Sequence, residues 1–191
     1  ENESCDSVDH DSDDAISELA KSLAALGHER VAHVSGDRNL VHADHRAEVF
    51  RQACARAGLT LVDEINGWFT PSGAAAATAQ IMNAPKPPSA LFYSNDIMAL
   101  GGMAELDRMG LRIPEDVSVS GFDGLTLADF FRPRLTTICC DYVALGRDAA
   151  DLLFSRLEDP DAPTISRLRP AYLRTTESIA PPPKRPPTAR A

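Results

Sequence analysis

The feature that most constrains the fold is the alternation of short, β-branched segments with longer segments of helical periodicity. Near the start of the chain, five apolar residues recur at helical spacing: Ile16, Leu19, Ala20, Leu23 and Leu26. Gly27 ends this helix, and residues 30–35 then have the composition of a buried strand. Such alternation, with short connections, predicts an α/β fold in which helices cover both faces of a mainly parallel sheet.

The same alternation continues as far as residue 173. Further helices are expected at residues 44–57, 72–83, 94–109 and 142–157, where apolar periodicity is bounded by capping and glycine residues. Further strands are expected at residues 59–65, 90–93, 117–121, 135–138 and 167–173. The proline-rich stretch at residues 179–191 predicts a disordered tail.

Polar and aromatic residues follow the carboxyl ends of these strands, the edge of a parallel sheet at which ligands bind. The candidates for ligand binding are Arg46, Trp68, Asn95, Asp123 and Tyr142. An arginine and a carboxylate can each hydrogen-bond to vicinal hydroxyls, an amide both donates and accepts, and an aromatic face packs on the apolar side of a ring. The set predicts a site for a small polar ring, such as a sugar.

Each of these residues also has a structural role open to it. Arg46 could pair with acidic neighbours on its own helix, and Asp123 could hydrogen-bond its own backbone in a turn. Asn95 could cap a helix, a role that is compatible with ligand contact. Trp68 could anchor a loop, and Tyr142 could belong to the core.

Composition limits the partners and the cellular location. The net charge of −9 and the pI of about 5.0 disfavour binding of DNA by this chain alone. No apolar run approaches the roughly 20 residues that span a bilayer, and the first residues are acidic, so we expect no membrane association and a cytoplasmic location. The four cysteines lack CxxC spacing, which favours reduced thiols.

Catalytic residues, metal ligands and cofactors are not predicted. Residues 9–13 begin like a calcium-binding loop but are not followed by its glycine and final glutamate. The histidines within residues 42–45 have too few partners for a metal site, and no base is evident for the adjacent Cys139 and Cys140.

Seven ordered segments of the chain resemble the effector domains of the LacI/GalR (lactose/galactose repressor) family. The segments are residues 26–32, Arg46 with Phe50, residues 88–92, Ser94–Gly101, Gly110–Val119, Gly121–Asp123 and Leu135–Ile138. The resemblance covers residues 8–178. It implies a periplasmic-binding-protein-like fold of type I, in which two lobes close on a small effector, with effector contacts at the five candidate residues. Asp14 is a further candidate from the other lobe.

The resemblance also implies a division of the chain into segments. Residues 1–26 would be a remnant of an incomplete N-terminal lobe, and residues 27–134 a complete C-terminal lobe. Residues 135–160 would belong to the N-terminal lobe, and residues 161–178 would return to the C-terminal lobe. Because neighbouring strands of the family pattern do not precede residue 1, we expect the helices at 13–26 and 142–157 to expose apolar faces.

The function implied is that of a non-enzymatic transcriptional repressor that senses a small sugar-like effector as a homodimer. Operator DNA would be bound only through a helix-turn-helix domain that this chain lacks. The dimer faces would come from the alanine-rich helix after Gly73, the helix with Ala99, Leu100 and Met103, and residues 127–131. The alternative is a periplasmic sugar-binding protein of a transport system; a hydrolase or another enzyme is the third possibility.

Overall fold

The computed structural model describes residues 5–184, and its largest element is a six-stranded sheet. The strands of the molecule are β1 (Ser7–Asp11), β2 (Arg30–Ser35), β3 (Thr60–Asn66), β4 (Ala90–Tyr93), β5 (Ser118–Asp123), β6 (Thr136–Cys139), β7 (Ser166–Pro170) and β8 (Tyr172–Arg174). The larger sheet has the order β3-β2-β4-β5-β6-β8, in which only β8 is antiparallel to its neighbour. A second sheet pairs β1 with β7 in parallel.

Five α-helices accompany these strands within residues 5–184. They are α1 (Asp13–Ala25), α2 (Val41–Ala57), α3 (Pro71–Met82), α4 (Asp96–Arg108) and α5 (Tyr142–Glu158). A short 3-10 helix, Thr126–Phe130, follows β5. The predicted mainly parallel sheet with helices on both faces is confirmed.

Apolar residues on both faces of the central strands explain why the sheet is covered on both sides. In β4, Leu91 and Tyr93 pack with residues of α3 and α4, whereas Phe92 packs with residues of α1 and α2. Because successive side chains of a strand point to opposite faces, one short strand contributes to two separate cores. The carboxyl end of the sheet remains the edge at which loops can form a site.

Helix α1 belongs to the larger sheet, which corrects its assignment to an N-terminal remnant at residues 1–26. Ile16 and Leu19 are fully buried and share a core with Phe50 of α2 and Phe92 of β4. The expectation that the helix at 13–26 exposes its apolar face is therefore wrong. The apolar residues of α1 cover one face of the larger sheet, whose strands belong to this same chain.

Helix α5 packs against β1 of the smaller sheet and leaves apolar side chains in solvent. These exposed residues are Val143, Leu153, Phe154 and Leu157. The expected open face is thus observed on α5. The rest of the division into lobes stays a prediction, with two changes at the boundaries: β6 pairs with β5 of the larger sheet, and the return after β7 takes place at Ala171 before β8.

The segment after β8 is ordered as far as it is described, which corrects the start of the predicted tail. Nε2 of His28 donates to the carbonyl of Ala180 at 2.9 Å, and the amide of Ala180 donates to Oγ of Ser118 at 3.0 Å. Ile179 packs on the core of α1 and α2. Residues 185–191 of the predicted tail lie outside the described residues.

The helices within residues 5–184 include none with the length and apolar character required to cross a membrane.

Candidate functional site

A cleft of about 600 Å³ lies where the carboxyl ends of β4 and β5 and the start of α2 face β1 and α5. Its lining residues are Asp9, His10, Ser12, Val41, His42, His45, Arg46, Phe69, Asn95, Phe122, Asp123, Tyr142 and Leu145. A larger groove of about 800 Å³ lies between β1 and α5, and its lining is mainly apolar. Because hydrogen-bonding groups from several elements converge in the smaller cleft, it is the candidate binding site.

Arg46 lies in the second turn of α2 and extends its side chain along the cleft. Its guanidinium carbon is 3.4 Å from the centroid of the Phe122 ring, and Nη1 donates to the carbonyl of Ser94. Nε is buried, with no hydrogen-bond partner among residues 5–184. Burial lowers the pKa of Arg46, while the nearby carboxylate of Asp123 acts in the opposite direction. Nη2 makes no hydrogen bond to residues 5–184 either, so the guanidinium keeps a donor for a ligand in the cleft.

The alternative partners of Arg46 on its own helix are occupied elsewhere. Asp44 pairs with Arg38 at 2.7 Å, and Glu48 pairs with Arg51 one turn along α2. The position of Arg46 therefore follows from its contacts with β4 and β5 rather than from a surface ion pair.

Asp123 ends β5 with a φ of 113°, a backbone conformation that residues other than glycine seldom adopt. Its Oδ1 accepts a hydrogen bond of 2.8 Å from the hydroxyl of Tyr142. Burial raises the pKa of Asp123, and the hydrogen bond from Tyr142 and the charge of Arg46 counteract that rise. Tyr142 begins α5 and is half exposed, so it lies at the cleft rather than in a core.

Asn95 combines the two roles considered for it, because it caps α4 and lines the cleft. Its Oδ1 accepts from the amide of Met98 at 2.7 Å. The cap uses the side-chain oxygen and does not employ the Nδ2 donors.

Trp68 lies outside the cleft, which corrects its place in the predicted site. Its side chain is 62% exposed, while the adjacent Phe69 lines the cleft and stacks on His42 with ring centroids 5.6 Å apart. A Cβ atom on Gly36 would lie only 1.9 Å from the Phe69 ring, so the glycine after β2 makes room for this aromatic. Two adjacent aromatics in one loop gave no indication of which of them turns inward.

Asp14 is also absent from the cleft. It faces a separate groove between α1 and α2, which includes Lys21 and Arg56. This position follows from the orientation of α1, whose apolar face covers the larger sheet.

Several cleft residues were not predicted from the sequence. His10 lies edge-to-face with Tyr142 at 5.2 Å, and Nε2 of His45 is 2.8 Å from Oδ1 of Asp13. The rings of His42 and Phe122 also line the cleft. No motif spacing in the sequence connects β1 with α2, so only an alignment with the resembling family could have pointed to these cleft residues. Within residues 5–184, no group of three or more histidine, cysteine or acidic side chains is arranged to hold a metal ion.

The fold and the cleft define the class of the molecule: an α/β ligand-binding domain that presents polar groups at the carboxyl edge of a parallel sheet. The model of the periplasmic binding protein-like domain matches residues 20–179. The chain belongs to this family, in the form found in LacI-type repressors.

Two curated relatives illustrate the sequence similarity. The transcriptional repressor CytR of Escherichia coli strain K12 is 34% identical over 148 residues, which are 76% of this chain and 43% of CytR. The repressor PurR of Haemophilus influenzae is 35% identical over 162 residues, which are 84% of this chain and 48% of PurR. The chain thus spans about half the length of these relatives.

Three solved structures show the same fold at 28% identity. A Lac repressor dimer bound to operator and an anti-inducer has a TM-score of 0.84, with 91% of this chain and 60% of that chain covered. A LacI-family regulator from Enterococcus faecium with bound ribose has a TM-score of 0.84, with 92% and 65% covered. The CelR regulator in complex with cellobiose has a TM-score of 0.86, with 93% and 55% covered. These comparisons confirm the predicted family.

Proposed function

We propose that the cleft binds a small, sugar-like effector and that Arg46, Asn95, Asp123 and Tyr142 contact it, with Phe69 in the place predicted for Trp68. The observation that carries the proposal is the convergence of a guanidinium, an amide and a carboxylate from α2, the start of α4 and the end of β5 in one cleft. Such groups hydrogen-bond to vicinal hydroxyls, and the ring of Phe69 offers an apolar face. The ribose and cellobiose bound by two similar regulators support a sugar.

The regulatory output follows from linkage between effector binding and DNA binding. An effector that prefers one arrangement of the cleft shifts the population of the whole repressor towards that arrangement. The net charge of −9 disfavours DNA binding by this chain alone, because phosphate backbones are bound by basic surfaces. In this proposal the operator is bound by a DNA-reading segment of a full-length cytoplasmic repressor. The repressors among its relatives favour this role over that of a transport protein.

A homodimer forms the third part of the proposal, and the Lac repressor dimer supports it. Phe130 is 76% exposed and Leu127 is 49% exposed, so their segment offers an apolar surface. Ala99 and Met103 are buried in the core and do not contribute to such a face, contrary to the sequence-based expectation. Phe130→Asp should therefore shift sedimentation towards the monomer, whereas a monomeric wild type at high concentration would contradict the dimer.

The binding proposal is tested by titrating the whole chain with ribose, cellobiose, hexoses, sugar phosphates and nucleobases in a calorimeter. Arg46→Lys replaces a planar fork by a point charge and should weaken binding at least about tenfold, because hydrogen bonds to charged groups contribute about 1.5–3 kcal/mol. Arg56→Lys is the matched control, since Arg56 lies on the same helix but faces the groove between α1 and α2. Equal losses in both variants, or no binding of any probe, would contradict the proposal.

A further inference from the structure

A fully buried carboxylate lies directly beneath the cleft. Asp96 is the first residue of α4 and has no exposed surface. Its Oδ1 accepts from the hydroxyl of Thr137 at 2.6 Å, and its Oδ2 accepts from the amide of Leu125 at 2.7 Å. Burial raises the pKa of Asp96 to about 6, and these two hydrogen bonds counteract the rise. Among charged groups, Asp123 of β5 raises the pKa further and Arg174 of β8 lowers it.

The two partners of Asp96 both bear on the turn that follows β5. Leu125 is two residues beyond Asp123, and the hydroxyl of Thr137 also accepts from the amide of Gly124 at 3.3 Å. Asp96 and Thr137 thus bond to the two amides that come directly after Asp123. They connect the start of α4 and the strand β6 to the same three-residue segment.

That segment is strained at the residue proposed to bind ligand. Asp123 has a φ of 113° and Gly124 a φ of 69°. A residue other than glycine keeps such a conformation only where its surroundings hold it, and such residues cluster at ligand-binding sites. The hydrogen bonds that the amides of Leu125 and Gly124 donate to Asp96 and Thr137 supply that restraint.

The carboxylate of Asp96 packs closely against the backbone of β5. A Cβ atom added to Gly121 would lie 2.4 Å from Oδ1 of Asp96, so the absence of a side chain at Gly121 permits the approach. A buried carboxylate without an ion pair costs stability unless its hydrogen bonds are satisfied. The hydrogen bonds of Asp96 are therefore satisfied by groups that fix the turn after β5.

We propose that Asp96 is a positioning residue: through Thr137 and the amide of Leu125, it holds Asp123 in the conformation that binds the ligand. Asp96 itself does not touch the ligand, since it lies below the wall of the cleft. The ligand-contact part of this inference rests on the proposed function. The positioning of Asp123 does not depend on the identity of the ligand.

The first test needs no ligand. Amide hydrogen exchange of Gly124 and the carboxyl titration of Asp123, both by NMR, are compared between wild type, Thr137→Val and Thr137→Ser. Thr137→Val keeps the shape of the side chain but removes the hydroxyl that accepts from the amide of Gly124, so exchange at Gly124 should rise at least about tenfold, equivalent to about 1.4 kcal/mol of lost local stability. The pKa of Asp123 should fall towards its ordinary value as the turn opens to water. Thr137→Ser restores the hydroxyl and should restore both measurements.

The second test measures ribose affinity by calorimetry in the same proteins and in Asp96→Asn. Asparagine has one acceptor and one donor group where two acceptors are needed, so both Asp96→Asn and Thr137→Val should lose about tenfold or more in affinity, while Thr137→Ser stays near wild type. Where Asp96→Asn fails to fold, judged by circular dichroism, Thr137→Val decides the outcome. Unchanged Gly124 exchange and Asp123 pKa in Thr137→Val would overturn the positioning role. A wild type that binds neither ribose nor any other probe would overturn the proposed function, and the first test would still decide on the turn.

Discussion

The placement of α1 in the core of the larger sheet can be tested by one chemical change at two positions. Leu19 on α1 is fully buried, whereas Leu153 on α5 is 58% exposed. Leu19→Ala and Leu153→Ala remove the same carbon atoms from two helices. Any difference between the two variants therefore reports the surroundings of each leucine.

The expected magnitudes follow from burial. At about 0.8 kcal/mol per buried CH₂ group, the atoms removed from Leu19 contribute roughly 2.4 kcal/mol, and the resulting cavity raises the loss to about 3–4 kcal/mol. Leu153 is less than half buried and leaves no closed cavity, so Leu153→Ala should cost about 1 kcal/mol or less. In a chain of this size the first change lowers Tm by about 6–15 °C, and the second by a few degrees at most.

The assay is urea unfolding of the whole chain, followed by circular dichroism and by the fluorescence of Trp68, its single tryptophan. Equal m-values would show that both variants unfold from comparably compact states. Equal losses of stability at the two positions, or a loss below about 1 kcal/mol for Leu19→Ala, would refute the packing of α1 on the larger sheet.

Three further outcomes are expected. Phe69→Ala should weaken binding of the effector identified by calorimetry about tenfold, and Trp68→Ala should leave it within about twofold; the reverse order would contradict the assignment of the inward aromatic. Tyr142→Phe removes the hydrogen bond to Oδ1 of Asp123, which stabilises the charged carboxylate, so the Asp123 pKa should rise in an NMR titration. An unchanged or lower pKa would contradict the hydrogen bond. Burial lowers the pKa of His28 from its ordinary value of 6.5, so the stabilising effect of its neutral form is present above pH 6.5 and is lost as the pH falls through the lowered value. Between pH 7 and pH 5, His28→Gln should therefore reduce the fall in unfolding free energy, and a slope equal to that of wild type would exclude the effect.

Much of the architecture follows from local pattern. The apolar runs of β2 and β4 and the caps of α3 and α4 are properties of contiguous residues, so the alternation of elements was predictable. Because carboxyl ends of parallel strands share one edge, the joint position of Arg46, Asn95 and Asp123 was predictable as well. Their role as ligand contacts is still a proposal.

The sequence by itself determined most of the segments that form strands and helices and which loops gather at one edge, because periodicity and capping act over a few neighbouring residues. The exceptions are β1, which was not predicted, and β7 and β8, which were predicted as one strand but lie in two sheets. The tertiary structure decided that α1 packs on the larger sheet, that Phe69 rather than Trp68 turns inward, and that Asp96 lies beneath Asp123. Each of these outcomes depends on the space left by residues distant in the chain, such as the missing side chains of Gly36 and Gly121. This space cannot be predicted from neighbouring residues, because it forms only when the sheet and its helices have packed.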